Sequence, residues 1–278
     1  MTQDASQITP AALTIAGSDP SGGAGIQADL KTFTVLGVYG ASVITALTAQ
    51  STRGVTGILA VPPAFVTLQI ATLADDLAIG AVKTGMLNDR ATVAAVAAAL
   101  RRFELRPLVV DPVMVATSGD LLLEPAAVEA LRTDLVPLAD VLTPNLAEAA
   151  RLLDRPVAKT ETEMEAQARA LLDLGCKAVI VKGGHGEGAE AVDIFLERGG
   201  RPVRLALPRI ATPNTHGTGC TFSAALAAYL MRGAAPESAA RAAKRFVHEA
   251  LQAGARLAVG HGSGPVDHLH ALGGRPAD

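Results

Sequence analysis

Along the chain, short runs of consecutive apolar residues alternate with longer stretches whose apolar residues recur every three or four positions. The runs LTIAG, SVITAL, AVKTG, PLVVDP, DVLTP and KAVIVKGG are rich in Val, Ile and Leu and lack a strict alternation with polar residues. Each predicts one strand buried on both faces. The stretches between them, at residues 24–36, 62–73, 88–103 and 145–153, predict helices. Strand followed by helix, repeated, predicts an α/β fold: a mostly parallel sheet covered by helices on both faces, with ligands at the carboxyl ends of the strands. Between residues 191 and 208 the order breaks, because AVDIFLE and VRLALP flank ERGGRP. Its glycine pair suits a tight turn and predicts an antiparallel hairpin at one sheet edge. Two helices follow, one opening near Thr218 and one from about Glu237 to Val259. No repeat or low-complexity linker divides the chain, so residues 11–271 read as one domain between frayed ends at 1–10 and 272–278.

Composition narrows the function classes. With 278 residues, 49% of them hydrophobic, the chain can bury a large core. A net charge of −3 provides no basic field for nucleic acid or an anionic membrane surface, so any bound anion has to be caught locally. The longest apolar runs, such as residues 91–100, fall short of the ~18–20 residues of a membrane span. The N-terminal MTQDASQITP has neither a basic nor an apolar segment of the secretory kind. Two cysteines, with no CxxC and no zinc spacing, fit thiols in a reducing compartment, and the expected address is the cytoplasm.

Three glycine-rich places compete as phosphate sites. The first, Gly22-Gly23-Ala24-Gly25-Ile26-Gln27-Ala28, contains a GxGxxA string, but SDPSG separates it from the strand and no acid stands at the ribose position ~20 residues on. A loop with Asp19 and Ser21 suits a small polar ligand, or is an ordinary loop that these side chains cap. The second, Lys182-Gly183-Gly184-His185-Gly186, places a lysine at a strand end before the glycines, unlike a P-loop. The third, Asn214 to Thr221, reads NTHGTGCT and opens an alanine-rich helix. Open amides and the positive dipole end make such a helix start an anion site, with Thr218 and Thr221 adding hydroxyls. The dipole should lower the Cys220 thiol by under about one pK unit and leave appreciable thiolate at neutral pH. Cys176, just before a strand, reads as core. His216 reads equally as a phosphate donor or a loop cap, and His261, His268 and His270 as surface residues. In TPNLAE, Asn145 and Glu148 stand at i and i+3 of a helix start. They form a capping box, can share one hydrated divalent cation, or do both. Asp111, at the end of PLVVD, reaches the same rim.

Taken together, LTIAGSDPSGGAGIQADLKTF, VITALTAQ, KTGML, VVDPVMVATSGD, TPNLAEA and THGTGCT resemble the hydroxymethylpyrimidine/phosphomethylpyrimidine kinases of thiamine biosynthesis, a branch of the ribokinase superfamily. The resemblance runs from about Leu13 to the GPVDHLH tail. It implies a three-layer α/β/α sandwich, ATP as co-substrate, magnesium, and a homodimer, and it leaves a monovalent cation as a further candidate cofactor. Gly217-Thr218-Gly219-Cys220 matches the superfamily's anion-hole motif, with cysteine in place of the aspartate base. Asn145 and Glu148 match its magnesium-organising element, joined through water by Asp111. Asp111, Asn145, Lys182 and Thr218 fall where relatives hold ATP phosphates. Gly17, Ala24, Asp29, Gln50, Met86 and Val113 fall where relatives hold the pyrimidine. Gln50 and Asp29 suit an aminopyrimidine edge, and Met86 and Val113 would hold the ring by dispersion. The implied activity is stepwise phosphorylation of 4-amino-5-hydroxymethyl-2-methylpyrimidine, with pyridoxal or pyridoxine kinase as the rival. The glycines at 22–25 and 183–188 are expected points of loop movement.

Overall fold

A computed structural model describes residues 8–115, 122–184 and 188–272. The expected frayed ends fall largely outside these, as do His185 and Gly186 of the second glycine-rich stretch. Eight strands form one sheet: β1 (Ala11–Ala16), β2 (Tyr39–Ile44), β5 (Ile79–Thr84), β6 (Leu108–Val110), β7 (Val141–Leu142), β8 (Ala178–Lys182), β9 (Glu190–Glu197) and β10 (Val203–Pro208), in the order β10-β9-β8-β7-β6-β5-β1-β2. Pairing is parallel from β2 through β8, and β9 and β10 add the antiparallel edge hairpin that ERGGRP predicts.

Both faces of the sheet are apolar because successive strand residues point to opposite cores. Leu13, Ile15, Val82, Leu108, Val110, Leu142, Val179 and Val181 join one core. Its helices include α2 (Pro63–Asp76), α3 (Arg90–Arg102), α4 (Pro125–Ala130), α5 (Leu146–Leu153) and α6 (Glu161–Leu172). Ala12, Ala81, Val109, Val141, Ala178 and Ile180 face the other core, beneath α1 (Gly25–Val35), α7 (Thr218–Met231) and α8 (Pro236–Gly254). Every residue of α7 from Thr221 to Ala228 is buried, and small residues on helix and strands together let it lie close over β1, β5 and β6. The result is the expected three-layer sandwich.

Three differences from the sequence reading matter. SVITAL is two strands, because Thr45 leaves the sheet between them. Its amide donates to the Ala16 carbonyl at 3.0 Å and its hydroxyl to the Met86 carbonyl at 2.6 Å. β3 (Ala46–Ser51) then pairs with β4 (Gly54–Ala60) in a separate antiparallel hairpin over the strand ends. Helix α6 was not expected, although its capping box, Thr160 with Glu163, is written in the sequence. Helix α8 stops at Gly254 rather than Val259, where the Asn214 amide group takes the carbonyls of Gly254 and Leu257, both at 2.8 Å.

Candidate active site

The carboxyl ends of β1, β5, β6 and β8, the helix starts of α5 and α7, and the β3–β4 hairpin enclose a cleft of about 850 Å³. At its floor Asp111, following β6, is buried and fully engaged. Lys182 Nζ lies 3.0 Å from its Oδ1, Ser223 Oγ of α7 donates to its Oδ2 at 3.1 Å, and Thr143 Oγ1 stands 3.3 Å from Oδ1. A Cβ at Gly219 would come within 3.3 Å of Lys182 Nζ, so glycine leaves that ammonium and the Gly219 and Cys220 amides facing one space, while the Thr218 amide donates to the Thr215 carbonyl.

Gly217 caps α7 in the left-handed region at φ 79°, and any side chain there would overlap the Gly23 carbonyl. The loop before α1 and the loop before α7 are therefore interlocked. His216 Nε2 lies 2.8 Å from Asp19 Oδ2, while Ser21 and the Ala24 amide also donate to Asp19. Burial alone would raise the Asp19 carboxyl, but these hydrogen bonds outweigh it and hold the group at about 2. Asp19 and Ser21 thus cap their own loop, and His216 joins the two loops.

Next to α5, Asn145 Oδ1 accepts from the Glu148 amide at 2.9 Å and Glu148 Oε2 accepts from the Asn145 amide at 2.8 Å. Burial raises the Glu148 carboxyl to about 7, with Lys182 pulling it down and Asp111 pushing it up. Asp111, Asn145 and Glu148 offer the hard oxygen donors that magnesium prefers. Their existing bonds make the set fit a cation held through its water shell rather than gripped directly.

Of the residues expected at the ring, Gly17, Ala24, Gln50, Met86 and Val113 line the cleft. Met86 and Val113 meet in one small apolar cluster with Ala46, Leu122 and Val55. A Cβ at Gly17 would press on Met86 Sδ at 2.9 Å, so Gly17 leaves room for that side chain. Gln50 is aimed by a bulge, where the β3–β4 register shifts between Ala49 and Gln50. Asp29 is fully buried, with Lys83 Nζ 2.8 Å and Thr14 Oγ1 2.6 Å from its Oδ2, while its Oδ1 has no hydrogen-bond partner among the described residues. Its side chain belongs to a buried ion pair and does not line the cleft.

Cys220 lines the cleft, but its proton state also differs from expectation. Burial pushes the thiol up to about 11; Lys83 and the Gly25 amide pull it down, and Asp29 and Asp111 push it up. Desolvation outweighs the helix dipole. Cys176 is buried core as expected, and burial pushes its thiol up to about 12. His268 is not a surface residue: it is buried, with Nε2 2.9 Å from Thr221 Oγ1, and that hydroxyl also donates to the Gly217 carbonyl at 2.8 Å.

Sequence reasoning missed Lys83, a fully buried lysine on the cleft floor, and the Lys244–Asp193 pair, 2.7 Å apart, at the far end. A charge inside an apolar strand, as in AVKTG and AVDIFLE, was the available signal, because a buried charge requires a partner.

The phosphomethylpyrimidine kinase family model matches residues 19–267. The hydroxymethylpyrimidine/phosphomethylpyrimidine kinase of Rhizobium meliloti is 57% identical, over 95% of this chain and 98% of its own. Among solved structures, Bacillus subtilis pyridoxal kinase in complex with ADP superposes with a TM-score of 0.87 at 38% identity, covering 95% of this chain and 98% of that one. Phosphomethylpyrimidine kinase of Clostridium difficile gives 0.77 at 39% identity, covering 87% and 100%.

Proposed function

Because the chain belongs to the phosphomethylpyrimidine kinase family, we propose that it transfers the γ-phosphoryl group of ATP to the hydroxymethyl oxygen of 4-amino-5-hydroxymethyl-2-methylpyrimidine. It then transfers a second phosphoryl group to the resulting monophosphate, the work of a kinase in thiamine biosynthesis. The observation that carries this reading is the single cleft in which the α7 turn, Lys182, Asp111, Cys220 and the Gln50–Met86–Val113 wall face one another.

In the first transfer the substrate oxygen bonds to phosphorus as the bridge to the β-phosphate breaks, and the alcohol proton has to leave. Cys220 is the group placed to take it, as thiolate. The Gly219 and Cys220 amides and Lys182 face the transferring group, and catalysis rests on positioning and on charge already in place. Asp111, Asn145 and Glu148 would hold magnesium through water, and the ion would supply positive charge against the phosphate oxygens. In the second transfer the acceptor is a phosphate oxygen, already anionic near neutral pH, so no base is required.

The wall supports the pyrimidine. The Gln50 carboxamide offers both a donor and an acceptor for an aminopyrimidine edge, and Thr48 Oγ1 lies 3.2 Å from its Oε1. The likeness to pyridoxal kinase supports a second reading in which the ring is pyridoxal. ATP consumption on the free pyrimidine, its monophosphate and pyridoxal tests both. Turnover of both pyrimidines is expected, and turnover of pyridoxal alone would refute the first reading.

The proposal includes a homodimer. Leu47 and Leu59, partners across the hairpin and so on one of its faces, are 45% and 67% exposed, an apolar surface that a second copy would cover. It also includes a cytoplasmic address, supported by two free thiols. No helix among the described residues is long and apolar enough to cross a membrane.

A further inference from the structure

The β3–β4 hairpin that carries Gln50 is held at its base by the Thr45 hydrogen bonds, and its far end is held from a distant part of the chain. Thr52, in the turn between the two strands, accepts from the amides of His261 at 3.2 Å and Gly262 at 3.1 Å through one side-chain oxygen. Around that oxygen the segment Gly260-His261-Gly262-Ser263-Gly264 wraps without spare room. A Cβ at Gly260 would strike the Thr52 side chain, and one at Gly262 the Thr52 carbonyl. Gly260 also sits at φ 69°, where glycine is favoured.

The same segment continues to the phosphate side. The Gly264 carbonyl accepts from the His216 amide at 3.0 Å, and Ser263 Oγ donates to the Pro213 carbonyl at 2.9 Å. His216 immediately precedes Gly217, the cap of α7. A cavity of about 310 Å³ lies at the junction, lined by Gln50, Thr52, Arg53, His216, Gly262 and Ser263. A hairpin of two strands has little stability of its own. The position of Gln50 therefore depends on where the turn is tied, and the tie leads to the turn that faces the phosphate.

We propose that Thr52 is a positioning residue for ring binding: its hydroxyl latches the hairpin to the 260–264 segment and so sets Gln50 against the substrate. The inference rests on Gln50 contacting the ring, as proposed above, and it does not depend on which ring that is.

Thr52→Val keeps the shape and removes the acceptor, Thr52→Ser restores it, and Gly262→Ala attacks the latch from the other side. The assay measures KM for the aromatic substrate, KM for ATP and kcat, together with amide hydrogen exchange across residues 46–60 and 258–264. Two solvent-exposed hydrogen bonds are at stake, so Thr52→Val should raise KM for the ring by about three- to tenfold. KM for ATP should stay within about twofold, exchange should quicken in both segments, and Thr52→Ser should return all of these toward the parent. Gly262→Ala should reproduce the valine variant. Faster exchange with an unchanged ring KM would overturn the proposal, as would an equal rise in KM for ATP or unchanged exchange in Thr52→Val. If the parent protein turns over pyridoxal and not the pyrimidine, the functional reading fails, and the latch is judged by the same comparison made with pyridoxal.

Discussion

The proton state of Cys220 can be tested without assuming any substrate. With the thiol at about 11 in the ligand-free protein, the thiolate fraction is about 0.1% at pH 8 and about 1% at pH 9, rising tenfold per pH unit. Had the helix dipole decided the matter, the thiol would titrate below its ordinary ~8.5, and more than a tenth would be ionised by pH 8. Alkylation by iodoacetamide reads this difference, since the thiolate is the reacting form. Followed by mass spectrometry of the Cys220 peptide, the rate should climb about tenfold per unit from pH 7 to 9.5 with no plateau. Cys176, fully buried with its thiol at about 12, is the internal control and should stay unmodified. Charges of both signs act on the thiol beside the larger effect of burial: Lys83 and Lys182 at the strand ends, Asp29 on α1 and Asp111 after β6. Neutralising the Lys83–Asp29 pair together, as Lys83→Met with Asp29→Asn, removes one charge of each sign and should change the slope little. A rate that levels off below pH 9 in the parent protein would show that burial does not dominate the Cys220 thiol.

Further predictions follow from the same geometry. Cys220→Ala should slow the first phosphorylation by about 10²–10⁴-fold and the second by less than about tenfold, measured with the pyrimidine and its monophosphate as separate substrates. In the parent protein kcat/KM for the first step should rise with pH between 7.5 and 9, while that for the second stays nearly flat. Gly217→Ala should cost about 1–2 kcal/mol in backbone strain alone, plus displacement of the Gly23 loop, and should lower ATP turnover by at least about a hundredfold, checked by thermal melt and by ATP consumption. Burial holds the His268 imidazole down to about 4 against an ordinary 6.5. The unfolded chain then takes up the extra proton, so stability present above pH 6.5 should fall by up to about 3 kcal/mol as pH drops toward 4. His268→Gln should flatten that slope in denaturant titrations.

Most of the fold was legible because its signals are local and periodic. Consecutive apolar residues in LTIAG and KAVIVKGG specify strands buried on both sides, and ERGGRP specifies the edge turn. The β3–β4 hairpin was not legible, because what divides SVITAL is the tertiary hydrogen bonding of Thr45 to Ala16 and Met86. At the site, the residues that sit at strand ends and helix starts, Asp111, Asn145, Lys182 and Gly217 to Cys220, could be read because position in the element implies position at the rim. Asp29 could not be: on α1 it looks like a polar residue near the ligand, and only its pairing with Lys83 across 54 positions of sequence shows it to be buried. The Cys220 thiol was misjudged for a related reason, since burial is a property of the assembled site.

Stepwise phosphorylation is tested most directly by phosphorus NMR of the purified protein incubated with 4-amino-5-hydroxymethyl-2-methylpyrimidine, magnesium and excess ATP. The pyrimidine monophosphate should appear first and then give way to the diphosphate, with two ADP formed for each pyrimidine consumed. A reaction that stops at the monophosphate, or that leaves the pyrimidine untouched while phosphorylating pyridoxal, would contradict stepwise phosphorylation.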